Sequence, residues 1–176
     1  MLSSLRARPH SSEYAPFYSG YIAAVPEGDV LEVLRTGGRE LHDTAVAIPE
    51  QRGGFRYAED KWTIRELLGH VIDAERIFTY RALRIARGDV TPLPGFDEND
   101  YVRTADSDSR TIASLAREFG VVRESTVQLF QSLPSDAWVR RGVASGKEIS
   151  VRALAYIVAG HPQHHLRIQR ERYLVG

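Results

Sequence analysis

Thr63-Ile64-Arg65-Glu66-Leu67-Leu68-Gly69-His70-Val71-Ile72 is the stretch on which the fold turns. Thr63 supplies an N-cap hydroxyl, and Glu66 three residues later completes a capping box. Trp62 stands just before the cap, placed to staple onto Leu67. The apolar positions Ile64, Leu67, Leu68, Val71, Ile77, Phe78 and Leu83 continue as a broad helical face, and Arg84, Arg87 and Gly88 mark its stop. A face this wide belongs to a helix packed in a bundle, and His70 lies within it.

Working outward, Leu31, Leu34, Gly38, Leu41, Ala45 and Ile48 alternate steps of three and four, which predicts a helix from about Asp29 to Ile48, closed by Pro49. Gly37-Gly38 inside it costs roughly 1 kcal/mol per glycine relative to alanine and marks a close helix contact or a bend. A third helix is expected after Ser109, with Ile112, Leu115, Phe119, Val122, Thr126, Leu129 and Leu133 on one face and Pro134 ending it. Ser150 caps a last helix starting at Val151. Between these, Gly88 to Asp108 reads as a long loop bordering a site or crossing the fold, with Phe96 and Tyr101 as anchors, and Trp138 to Lys147 reads as a connector. Tyr14, Phe17, Tyr18 and Tyr21 form an aromatic patch that starts a short helix. The expectation is an all-α four-helix bundle over residues 14–174, preceded by a frayed tail, residues 1–13.

Composition narrows the function. A chain of 176 residues fits one domain and buries about 70 % of its unfolded surface without a disulfide or structural metal. With 23 basic and 23 acidic residues it has no net field for nucleic acid or an anionic membrane. The absence of cysteine removes thiolate ligands and a cysteine nucleophile. No run has signal-peptide character or the length of a membrane span, so the cytoplasm is the expected compartment. Rossmann, P-loop, zincin and nucleophile-elbow signatures are all missing.

The chemistry concentrates in histidine. Val151, Leu154, Val158, His161, His165 and Ile168 share one seam of the last helix, with His164 on its flank. Four residues apart, His161 and His165 stack on one face about 6 Å apart at Cβ, within reach of one ion, and His70 faces the same core. Neutral imidazole is the common nitrogen ligand of zinc, nickel, copper and iron. Pro162 leaves two readings open: it bends the helix by freeing the carbonyl of Val158, or it starts a new helix and separates the pair. His10 and His42 have no partner at useful spacing and read as surface residues.

Tyr57-Ala58-Glu59-Asp60-Lys61-Trp62-Thr63-Ile64, Gly69-His70-Val71-Ile72-Asp73-Ala74-Glu75-Arg76, Pro92-Leu93-Pro94-Gly95-Phe96-Asp97, Gly142-Val143-Ala144-Ser145-Gly146 and Gly160-His161 to His164-His165 follow one another in the order and spacing of a known family. From about Tyr14 to Tyr173 the chain resembles the DinB-like superfamily of bacterial metal-binding four-helix bundles. The resemblance implies an up-down-down-up bundle with a long crossover between the second and third helices. It implies a divalent metal on His70, His161 and His165, and frequent homodimers. Pro162 departs from the family, which often has a carboxylate directly after the first histidine of the pair.

A three-histidine site carries no formal ligand charge and leaves a position for water or substrate, which suits activation of a water or thiol nucleophile. Family members resembling this chain include transferases and isomerases using low-molecular-weight thiols, and metal-dependent hydrolases. Two classes of function stand: a metal-dependent enzyme acting on a small molecule, and a non-catalytic metal-binding or stress-associated protein. Zinc or nickel is the expected ion, with iron and manganese as alternatives. Asp73 reads either as a partner of a site imidazole or as a salt-bridge partner of Arg76. Arg167, Arg170 and Arg172 read either as holders of an anionic substrate or as solvated charges at a helix end, and Tyr80 and Tyr101 as packing residues or as the walls of an entrance.

Overall fold

The computed structural model describes residues 6–173. Four long helices carry the fold: α2 (Val30–Val46), α3 (Ile64–Ala86), α5 (Ile112–Ser132) and α6 (Val151–Ile168). Of two short ones, α1 (Ser19–Ala24) precedes them in sequence and α4 (Glu98–Thr104) lies between α3 and α5. A hairpin of β1 (Arg141–Ala144) and β2 (Lys147–Ser150) precedes α6, which ends in a π-turn over Gln169–Tyr173. α5 packs on α2 and α3, and α6 packs on the same two from the other side.

The helix starts follow the local chemistry. The Thr63 hydroxyl accepts from the Glu66 amide at 3.0 Å while the Glu66 carboxylate accepts from the Thr63 amide at 2.7 Å, so the capping box forms at α3. Asp29 and Ser150 cap α2 and α6 through side-chain acceptors. At α5 the cap is Thr111, whose hydroxyl accepts from the Ser114 amide, two residues later than the start expected at Ser109. Ser107–Ser109 forms a separate 3-10 turn there.

Three regions differ from the sequence reading. The loop from Gly88 to Asp108 contains α4, capped by Asp97, whose carboxylate accepts from Asn99 and Asp100. The expected connector folds into the antiparallel hairpin, because Ser145 and Gly146 both take positive φ, 52° and 72°, as a two-residue hairpin turn requires. The fold is therefore a helical bundle with a two-stranded sheet rather than wholly α. Leu93 pairs beside Ala144, pinning the loop to the hairpin. Of the tail expected over residues 1–13, Met1–Leu5 lies outside the described residues, as does Leu174 at the far boundary of the expected domain. From Arg6 on the chain is packed, because its charges find partners in the fold. Arg8 donates to the carbonyl of Val25 at 2.7 Å, and the buried Glu13 carboxylate accepts from Ser150 at 2.8 Å and from Arg152.

The core has two apolar clusters. One joins the start of α2 to the ends of α3 and α5 around Phe130, Trp138 and Leu154. The other joins the end of α2 to the starts of α3 and α5 around Leu68, Ile72 and Phe119. Buried polar side chains lie among them: His70, Glu75, Arg123, Thr126, His161, His165 and Gln169. Arg123 of α5 donates through Nε and Nη2 to the Glu75 carboxylate of α3 at 2.7 and 2.6 Å, to the Leu34 carbonyl of α2 at 2.9 Å and to the Val158 carbonyl of α6 at 3.2 Å. A Cβ at Gly38 would press on the Arg123 side chain, so this glycine marks a close helix contact.

Candidate metal centre

The three imidazoles converge. His70 comes from the second turn of α3, His161 and His165 from the last turns of α6, and ring nitrogens of all three lie within 4.8 Å of one another. Glycine precedes two of them. A Cβ at Gly69 would collide with the Ser107 hydroxyl, and one at Gly160 with the Tyr21 carbonyl, so side-chain-free positions let the 3-10 turn and α1 close against the site.

Pro162 sits inside α6 without separating the pair: the His161 and His165 ring centroids are 4.5 Å apart. The carbonyl that proline deprives of its helical donor, that of Val158, accepts instead from Arg123. The freed acceptor is thereby satisfied and the helix continues.

Contacts between the rings test whether an ion fits. His161 Nε2 lies 3.1 Å from His70 Nε2 and 3.0 Å from His165 Nε2. A neutral ring nitrogen offers one hydrogen or one lone pair, so it satisfies only one of two such neighbours. A shared cation resolves the conflict by taking a lone pair from each. Zinc–nitrogen bonds of about 2.0–2.1 Å in tetrahedral array place nitrogens roughly 3.3 Å apart, close to the two spacings at His161.

Electrostatics favour the neutral, lone-pair form. Burial lowers the His70 pKa to about 4. Burial also pushes His161 and His165 well below the ordinary value, reinforced for His161 by His165, His70 and the more distant Arg123. Around them stand Trp62, its ring 4.7 Å from that of His70, and Tyr21 and Phe78, both edge-on to His161 at 5.1 and 5.9 Å. His165 Nδ1 is buried without a hydrogen-bond partner, and so is Nε2 of Gln169 one turn on.

The site is open on two sides. A cleft of about 520 Å³ is lined by His70, His161, Tyr18, Phe78, Arg81 and Glu98, among others. A smaller hollow of about 280 Å³ reaches His165 between Trp62 and Tyr173, and Asn99 of α4 lines both.

The other titratable candidates fall elsewhere. His164 is half-buried, 3.5 Å from Arg167 and edge-on to Tyr21, outside the cluster. His10 is exposed, and His42 pairs with Asp43 at 3.2 Å. Asp73 pairs with Arg76 at 3.7 Å, and Arg170 with Glu40 at 2.9 Å. Tyr80 binds Arg84 and Tyr101 stacks on Phe96; neither lines the cleft, because both sit on outward faces of their helices. Sequence reasoning assigns Arg81 and Arg123 no role and places Tyr21 only in an aromatic patch. The signal for Arg81 was its place on the stripe of His70, Ala74 and Phe78, and for Arg123 its place among apolar neighbours of α5.

Comparison with known proteins bears on the family and the fold. A protein of Oceanobacillus iheyensis, provisionally named a metal-dependent hydrolase, is 27% identical over 138 residues, covering 77% of this chain and 79% of its own. YfiT from Bacillus subtilis, provisionally described as a metal-dependent hydrolase with an unusual four-helix-bundle topology, matches with a TM-score of 0.73 at 15% identity, over 94% of this chain and 93% of its own. The mycothiol-dependent maleylpyruvate isomerase matches at 0.65 and 15% identity, over 88% of this chain and 63% of its own. These two structures speak for the fold alone. The sequence profile of the DinB superfamily matches residues 34–168, and the chain belongs to that superfamily.

Proposed function

We propose that His70, His161 and His165 hold one divalent metal ion, and that the protein is a metal-dependent enzyme activating a thiol or water nucleophile against a small molecule, as a thiol S-transferase or a hydrolase. The observation that carries the reading is the meeting of three buried, neutral imidazoles, two of them at the wall of an open cleft. When bound, such an ion supplies Lewis acidity, making a nucleophile of water or a thiol near neutral pH. The chain's own part is positional. Trp62, Tyr21 and Phe78 pack against the rings and hold their orientation. The cleft admits substrate on the side of His70 and His161.

The finer parts of the proposal have separate support. The pairs Thr63–Asp108, Glu75–Arg123 and Thr79–Thr126 rise together from the start of α3 and the turn before α5, as parallel helices require, whereas His70 near the start of α3 meets His161 and His165 near the end of α6. An up-down-down-up order with the Gly88–Asp108 segment as crossover accounts for both. Zinc or nickel is the ion first expected from an all-nitrogen donor set, with iron and manganese next. A low-molecular-weight thiol as partner, a homodimer and a cytoplasmic setting complete the reading. Among the described residues no helix is long and apolar enough to cross a membrane.

The test is elemental analysis of untagged protein, followed by turnover of the metal-loaded form with a panel of thiols, electrophiles and esters, beside His165→Ala. One bound ion per chain and turnover lost in the variant are expected. Metal without any difference in turnover would move the protein to the passive metal-binding class, and no stoichiometric metal would overturn the site.

A further inference from the structure

We propose that Arg81 forms a carboxylate-binding subsite at the far end of the cleft, so that the substrate is an elongated small molecule with its reacting group at the three-histidine wall and a carboxylate at the other end. The inference rests on the metal-site reading for the first end and on Arg81 alone for the second.

Arg81 is 2% exposed, yet among the described residues no carboxylate pairs with it. Its Nη2 donates to two uncharged acceptors, the Pro94 carbonyl at 2.7 Å and the Ser145 hydroxyl at 3.1 Å. The guanidinium lies 5.9 Å from the Phe78 ring centre and 5.8 Å from that of Phe96, between two aromatic faces. Contrast the chain's other deeply buried arginine: Arg123 is neutralised by both oxygens of Glu75. Burying a cation without a counter-ion is costly, and beside a cavity that cost is relieved by an anion entering from outside.

The surroundings define that anion. With Nη2 of Arg81 held by Pro94 and Ser145, the guanidinium meets a carboxylate through its remaining N–H donors, in charge-assisted bonds. The Tyr18 phenol, beside Arg81, adds a hydroxyl donor, and Ser145 adds another. At the mouth Asp97 and Glu98 are exposed and acidic, which disfavours multiply charged anions such as phosphate esters over a single carboxylate.

Position sets the length. His70, Ala74, Phe78 and Arg81 form one stripe of α3 and all line the cleft, with Phe78 as its apolar floor. Eleven residues at 1.5 Å per residue separate the Cα atoms of His70 and Arg81 by about 16 Å. Side chains reaching in from both ends shorten the gap, leaving room for an apolar spacer between the two anchored groups.

The probes are ω-mercapto carboxylic acids from 3-mercaptopropionate to 11-mercaptoundecanoate and their methyl esters. Binding is measured by calorimetry on wild type, Arg81→Met, Arg81→Lys and Ser145→Ala, each with and without bound zinc. Expected is at least about a tenfold preference for acid over ester in wild type, lost in Arg81→Met, partly kept in Arg81→Lys, and present with or without zinc. With zinc, an affinity optimum at intermediate chain length is expected. Equal binding of acid and ester by wild type at every length overturns the subsite, and so does a preference that survives in Arg81→Met. If Arg81→Met fails to fold by circular dichroism, the wild-type acid-to-ester ratio and its reduction in Ser145→Ala decide. A clear acid preference with no zinc-dependent optimum would leave the subsite standing and sink the metal reading, so the two failures are distinct.

Discussion

Replacing Glu75 with glutamine is the sharpest perturbation of the bundle. The carboxylate accepts two bonds from Arg123, at 2.7 and 2.6 Å, and both side chains are almost fully buried, at 2% and 4% exposure. Glutamine keeps one acceptor oxygen, turns an amide donor toward the guanidinium, and leaves the positive charge facing only the carbonyls of Leu34 and Val158. Breaking a buried pair from one side costs about 3–5 kcal/mol. For a chain of this size that is a fall in Tm of roughly 6–20 °C. Glu75→Met with Arg123→Met removes both charges at once. What remains lost are the bonds to two carbonyls, about 1 kcal/mol each, so the double variant is expected at about 2 kcal/mol below wild type. Urea titration of wild type, both single variants and the double measures this, with unchanged slopes confirming a common unfolded state. The single costs should exceed the double by more than about 2 kcal/mol of coupling. A Glu75→Gln protein within 1 kcal/mol of wild type, or strictly additive costs, would refute the reasoning.

Three further outcomes follow from the described contacts. Chelation of bound metal should lower Tm by about 5–10 °C if the ion is present at a hundred times its Kd, and His161→Ala should abolish that difference in a thermal scan. Gly160→Ala forces a methyl against the Tyr21 carbonyl, so α1 must retreat, at about 1–3 kcal/mol; calorimetry showing an unchanged Tm would mean α1 does not rest on α6. Burial pushes the Glu13 carboxyl up, but bonds from Arg152, the His10 amide and Ser150 outweigh it and hold the pKa at about 2 against an ordinary 4.5. Its contribution, about 3 kcal/mol, is full above the unfolded-state pKa and is lost as pH falls toward 2; Glu13→Gln should flatten acid denaturation between those limits, and parallel curves would contradict it.

Most of the bundle was legible because its signals are local. Thr63 and Glu66 cap one another within a single turn, and the seam from Val151 to Ile168 runs through the proline without a change of phase. The i, i+4 spacing of His161 and His165 was equally local, whereas His70, far along the chain, was joined to them by its place on an apolar face and by the family resemblance. Hidden from the sequence were features whose partners lie far along the chain. Glu13 is ordered by Arg152, the Leu93 segment by Ala144, and Arg81 by Pro94 and Ser145. The hairpin and α4 had local signals that were passed over, in the Ser145-Gly146 pair and the Asp97 cap. Pro162 was legible as a problem, the unbonded carbonyl of Val158, but its solution came from Arg123, thirty-five residues away.

That solution reaches further than one carbonyl. Arg123 stands on one helix and holds a group on each of the other three, so a single guanidinium serves as a common datum for four rods. Sliding any rod by one turn, about 5.4 Å, carries its group out of range of the fork. Misaligned stackings are thereby ruled out together, and the two walls that bring His70 opposite His161 keep the same height.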